Sequence, residues 1–252
     1  MTQPTASGSG AEYDAPSTAK KPEKASLLDD FMDIFYAPSA VFARRANAGF
    51  WIPLLIISVL LGVIFFANRD LIDPIMEAEF ARSMANSAQA RQMTPEQMET
   101  ARKFGGTLGM IFAFIGPPIA MLMLGVVIWI VGKFFDAKQS VNAAVVVAVF
   151  SYVPRVVEGV VNRIQGLLID TSSLNSRFSL TLGLGRFFDP DTTSPLLLGL
   201  IGRIDVFTIW ITVLIAIGLA VTGKIGRGKA AIAAAIVWLA GALPTLASAL
   251  RS

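Results

Sequence analysis

The chain contains neither cysteine nor histidine in its 252 residues. Without cysteine there are no disulfides, no thiolate nucleophiles and no thiolate metal sites. Without histidine the usual general base and the commonest metal ligand are missing. Haem, zinc and copper roles fall away and no cofactor is expected. Catalysis would have to rest on Asp, Glu, Lys, Arg, Ser or Tyr alone. Charge is scarce as well: Asp, Glu, Lys and Arg make up 15% of the residues, for a net charge of +3. The basic residues are scattered around apolar runs instead of forming one patch, which argues against a nucleic-acid partner.

What the sequence has is hydrophobicity. Apolar residues make up 54% of the chain, and the mean hydropathy is +0.62. Long apolar runs cover Phe50 to Ala67, Gly105 to Phe135, Ala143 to Leu168, Leu196 to Thr222 and Ala230 to Leu250. A helix crosses the hydrocarbon of a bilayer with about 20 such residues. The fold class is therefore all-α, a polytopic membrane bundle of about five transmembrane helices, with the lipid bilayer as its first partner.

Three regions are expected along the chain. Residues 1–25, rich in Pro, Ser, Thr, Gly and Ala, read as a disordered cytoplasmic tail. They lack the apolar core of a secretory signal peptide, so the first span is expected to stay as an anchor. Residues 26–48 form an amphipathic juxtamembrane segment. Ser26 caps a helix with Leu27, Leu28, Phe31, Ile34 and Phe35 at helical spacing, while Asp29, Asp30 and Asp33 are expected to face away. The segment either lies along the interface or packs under the bundle. Residues 49–252 form the membrane domain.

Within that domain Thr94, Pro95 and Gln97 make a helix start, with a capping box around proline at the first helical position. The second span carries Pro117 and Pro118 in its middle, where a kink or break is expected. Gly105 and Gly109 form a GxxxG pair, a weak packing signal. The fourth span is expected over about Arg203 to Thr222. The turns holding Lys133 and Lys138, and Lys224, Arg227 and Lys229, are short and basic, and Arg44 and Arg45 precede the first span. The positive-inside rule then places the N-terminus in the cytoplasm and, after an odd number of spans, the C-terminus outside.

Candidate chemistry is confined to a few polar positions. Arg155, Glu158 and Asn162 share one helical face of the third span. Ionisable groups within a span are costly and turn toward the bundle interior and a partner. The face is either a site for an ion, a proton or a lipid headgroup, or a local Arg155–Glu158 pair that fixes packing. Arg203 and Asp205 at the start of the fourth span join this intramembrane polar cluster. Asp205 suits a helix N-terminus and also suits pairing with Arg155 or Arg163; Arg203 falls on the side of Phe207 and Trp210, where it can stack. Gly223 to Lys229 reads GKIGRGK, a basic turn without the strand that a nucleotide loop requires. No paired carboxylates or Ser-Lys dyad stand out, so an enzyme is not expected.

The segments DIFYAPSAVFARRANAGFWIPLL, SYVPRVVEGVV and GRIDVFTIWITVLIAIGLAVTGK resemble the bacterial branch of the YIP1 family. The motif positions are Pro38 and Phe42 before the first span, Tyr152 and Pro154 in the third, and Phe207, Trp210 and Gly218 with Asp205 in the fourth. The resemblance implies five spans behind a cytoplasmic N-terminal tail. Eukaryotic members associate with Rab-type GTPases in ER–Golgi traffic, a role that does not transfer to a chain whose Ala- and Arg-rich composition suggests a bacterium. For a bacterial member the resemblance implies a fold and an inner-membrane location. The expected function is a non-enzymatic membrane protein that organises partners or lipids, as a homo-oligomer or with other membrane proteins. The alternative is a small transporter or channel using the polar face of the third span. A water-filled path reaching Glu158 would favour transport; a dry bundle with Arg155 paired locally would favour organisation.

Overall fold

The computed structural model describes residues 25–85 and 92–249. The tail expected over 1–25 lies outside the described residues apart from Ala25. Eleven α-helices are present among the described residues. Two short ones come first, α1 (Leu27–Asp33) and α2 (Pro38–Arg45). Ser26 caps α1 in a reciprocal box with Asp29, which satisfies two otherwise orphaned backbone donors. Pro38 opens α2 at its first turn, where a missing N–H costs nothing.

The first candidate span begins with α3 (Trp51–Ala67), and at Asn68 the chain turns by 80° into α4 (Arg69–Ala85). Four further helical stretches are long and apolar enough to cross a bilayer, so the described residues hold four candidate spans, or five with this bent pair. The longest is α5 (Pro95–Lys133), with Thr94 and Gln97 in the expected capping box. It runs unbroken through Pro117 and Pro118, so the break expected there does not occur. Each proline removes one ladder bond, but the preceding residue is Gly116, whose missing Cβ relieves the clash that normally turns the chain out of the helix.

The third span is α6 (Val141–Ser151) followed by α7 (Val153–Gly166), joined at Tyr152. After a loop with two short 3₁₀ turns and α8 (Pro195–Ile201), the fourth span is α9 (Val206–Gly223). It starts later than expected, leaving Arg203 and Asp205 ahead of its first turn. The fifth is α10 (Arg227–Ala240), continued after a turn by α11 (Leu243–Ala249).

The bundle is built around α6. Every residue from Ala143 to Ser151 is buried, packed against α5, α9, α3 and α2. Small residues permit this closeness: a Cβ on Gly125 of α5 would meet the Val145 backbone at 2.7 Å, and one on Gly218 of α9 would strike Val147. The GxxxG pair plays no such part, since a Cβ on Gly105 or Gly109 would meet nothing within 4 Å. The outer faces of α3 and α5 stay exposed through Leu55, Val59, Val63, Phe112 and Met123, as a lipid-facing belt requires.

The two basic turns are tied to each other. The Lys138 amide donates to the Gly223 carbonyl at 2.9 Å, and the Thr222 hydroxyl donates to Gln139 Oε1 at 2.6 Å. Asp136 and Lys224 hold the tight reversals with left-handed φ of 62° and 54°. Hairpins α5–α6 and α9–α10 are thereby fixed in register at one end of the bundle.

The pre-span helices pack into this core. Ile34, Val41 and Phe42 join the same apolar cluster as α6, and Phe31 and Phe35 reach Phe150 and Trp210 with ring centroids 5.6 and 5.4 Å apart. Residues 26–48 thus pack against the side of the bundle.

Candidate functional site

The polar half of the third span begins where Tyr152 ends α6 and Pro154 starts the first turn of α7. In α7 only Val153 and Pro154 are buried, and the polar residues collect on one side. Arg155 donates to Glu158 Oε2 at 2.6 Å and to the Thr208 hydroxyl of α9 at 3.0 Å. The side chains of Arg155 and Glu158 keep 33% and 15% of their exposure, so the pair is screened from its surroundings only in part. Asn162 lies one turn further on, 3.4 Å from the Gln165 amide, and Gln165 also holds the Leu180 carbonyl at 2.8 Å.

Asp205 and Arg203 do not complete an alternating row with Arg155 and Glu158. The Asp205 carboxylate accepts the Phe207 and Thr208 amides at 2.9 and 3.0 Å, capping α9 where the helix dipole favours a negative charge. Arg203 turns to the fifth span instead. It donates to the Gly241 carbonyl at 2.7 Å and to the Trp238 carbonyl, and stacks on Trp238 at 5.3 Å. Those carbonyls lie at the break between α10 and α11, where the helical ladder is interrupted and an arginine can supply donors. The aromatic partner expected for Arg203, Phe207 or Trp210, is replaced by Trp238. Arg163 pairs with Asp70 of α4 at 2.6 Å, not with Asp205.

Arg155, Glu158 and Asn162 open onto a groove of about 460 Å³ between α3, α4, α5 and α7. Leu61, Phe65, Phe112 and Pro117 line its apolar side, and Tyr152 and Asn68 its rim. None of the buried residues Ala143 to Ser151 lines it, so the groove ends against the core of the bundle. Arg155 and Glu158 neutralise each other and are steadied by Thr208. The arrangement offers hydrogen bonds and a compact dipole.

The motif positions prove to be packing positions. Pro38 starts α2 and Phe42 is fully buried; Tyr152 and Pro154 make the α6–α7 junction; Phe207 is buried, Trp210 meets Phe35, and Gly218 admits Val147.

Two polar positions were not anticipated. Asp30 was expected to face away, yet its side chain is fully buried between Arg44 and Arg45. Arg44 reaches Asp30 at 2.6 Å and Asp33 at 2.5 Å, and Arg45 binds both Asp30 and the Ala25 carbonyl. The signal was in the spacing: Asp30 stands three after Leu27 and four before Ile34, on the same face as both. Asn68, at the α3–α4 bend, donates to the Ile64 carbonyl at 2.9 Å and the Gly159 carbonyl at 3.1 Å. It pins the bend against α7, a contact across 91 positions that no local pattern announces.

In this pre-span hairpin the carboxyls of Asp33 and Asp29 are both held low. The Arg44 guanidinium, helped by the Tyr36 hydroxyl, holds the Asp33 carboxyl below the usual carboxylate range, and the Ser26 hydroxyl and amide do the same for Asp29.

The profile of the Yip1 domain matches residues 32–248. Among characterised proteins the chain is similar to membrane protein YknW of Bacillus subtilis (strain 168), with 26% identity over 223 residues and 86% of each chain covered. No solved structure matches the chain.

Proposed function

Because the chain belongs to the Yip1 family, a family of membrane proteins, we propose that it is a non-enzymatic protein of the bacterial inner membrane that organises lipids or membrane partners. The observation that carries this reading is the dry centre of the bundle. The buried run Ala143 to Ser151 fills it, while Arg155 is satisfied by Glu158 and Thr208. A transport pathway needs polar groups that water reaches from both sides, and a packed apolar helix at the centre opposes that. The groove beside Glu158 is what favours the runner-up, a small transporter.

Reconstituted proteoliposomes separate the two. The expected result is no ion flux above empty vesicles, with Glu158→Gln indistinguishable from wild type. A flux that Glu158→Gln abolishes would install the transporter reading. The proposed orientation, N-terminus cytoplasmic and C-terminus outside, rests on the basic turns. With no native cysteine, single cysteines at Ser17 and Ser252 report it through an impermeant thiol reagent in outer-membrane-permeabilised cells. Labelling of Ser17→Cys but not Ser252→Cys would reverse the orientation.

A further inference from the structure

A second groove lies on the other side of the bundle, about 720 Å³ in volume, between α2, α9 and the start of α10. Its wall is the stripe Ile217, Ala220 and Val221 of α9, residues at spacings of three and four and so on one face. They are half-buried, packed on their inner side against the core of the bundle. Its lining includes two polar residues, Arg227 and Ser39. No carboxylate lines the groove, and none pairs with Arg227 among the described residues. Of the neighbouring cations, Arg44 and Arg45 are engaged by Asp30 and Asp33, Lys229 lies 3.5 Å from Asp136, and Lys138 and Lys224 line no part of the groove.

We propose that this groove is a binding site for one anionic phospholipid, its phosphate at Arg227 and an acyl chain along Ile217, Ala220 and Val221. This deepens the lipid-organising reading and rests on it. The charge argument selects the headgroup. A cation with no internal partner favours an anion, and without a lining carboxylate the groove offers nothing to the ammonium of a zwitterionic lipid. The wall selects a lipid over a free anion, since an aliphatic chain gains from apolar contact and a bare phosphate does not. The uncapped start of α10 at Gly226, with no acid in its first turn, adds to the positive potential at that end. At the cytoplasmic interface, where the basic turns place this groove, anionic headgroups are the natural counter-charge.

The test is native mass spectrometry of the full chain from detergent micelles doped with equal phosphatidylglycerol and phosphatidylethanolamine. Wild type should retain phosphatidylglycerol preferentially. Arg227→Gln should lower that retention roughly five- to tenfold, as loss of one charge-assisted contact implies. Lys138→Gln removes the same charge from the adjoining turn, outside the groove, and should leave retention unchanged. Ala220→Phe, which fills the wall, should lower retention while Arg227 remains. Equal retention by Arg227→Gln and Lys138→Gln would reduce the effect to general attraction and overturn the site. Displacement of the lipid by glycerol phosphate alone would equally overturn it, because the wall would then contribute nothing. Ion flux is read in a separate preparation, so loss of this site and loss of the non-transport reading are distinguishable.

Discussion

The pre-span hairpin α1–α2 and the polar half of the third span, α7, both carry opposite charges within a largely apolar bundle, yet they hold them differently. In the hairpin, Asp30 is wholly enclosed, and its two arginines keep 35% and 22% of their side-chain exposure. In α7, Arg155 and Glu158 both stay partly open beside a groove. A buried carboxylate without its partners is an uncompensated charge, whereas a half-open one recovers hydration when its partner is lost. The hairpin should therefore behave as a structural latch and α7 as an adaptable surface.

The sharpest way to break this comparison is Asp30→Ala. It leaves Arg45 without a carboxylate and Arg44 with Asp33 alone, and should cost about 3 kcal/mol, the lower end for a broken buried pair because Arg44 keeps Asp33 and both arginines keep some solvent. The thermal unfolding midpoint in detergent measures it, with Arg44→Gln as the milder companion, since Arg45 then still holds Asp30. An Asp30→Ala protein as stable as wild type would remove the latch from the account.

Glu158→Gln comes next. Arg155 retains Thr208 and partial solvent, so about 1–2 kcal/mol is expected, above the change for exposed Val160→Ala. If Glu158→Gln proved costlier than Asp30→Ala, the ranking of the two regions would invert and α7 would be the structural element.

The smallest effect is one of pH. The Asp33 carboxyl is held low by Arg44 in the folded chain, against about 3.9 when unfolded. Its contribution is present above the unfolded value and lost as pH falls through the lowered folded one. Below about pH 4 the amides of α1 and α2 should lose protection, measured against the intrinsic exchange rate at the same pH, while those of α6 keep theirs, and Asp33→Asn should show the same loss at neutral pH. Protection lost equally in α6 would mean global unfolding and not a loosened hairpin.

Much of the fold was legible because bilayer thickness sets helix length and lipid forces every backbone group into a helix. The caps at Ser26 and Thr94 were legible for a similar reason, as interactions within a few residues. The site was harder. Arg155 and Glu158 are one turn apart, and their pairing follows from that spacing. Where Arg203 goes does not, since its acceptors lie 35 and 38 residues away on another span. Pro117 and Pro118 mark a place where a local rule yields: a glycine before them and a long apolar helix around them keep α5 continuous.

By itself the sequence determined the solvent, the helical class, the number of spans to within one, and the exclusion of cysteine and histidine chemistry. All of these depend on composition and on contacts within a few residues. Tertiary structure alone decided which helix became the buried centre, that α1 and α2 dock against the bundle with Asp30 sealed inside, and which span each arginine serves. Those outcomes depend on which helix faces meet in space. Apolar runs of equal hydropathy carry no record of their neighbours, so α6 at the centre and α5 at the lipid belt become distinct only when small residues such as Gly125 and Gly218 let particular pairs approach.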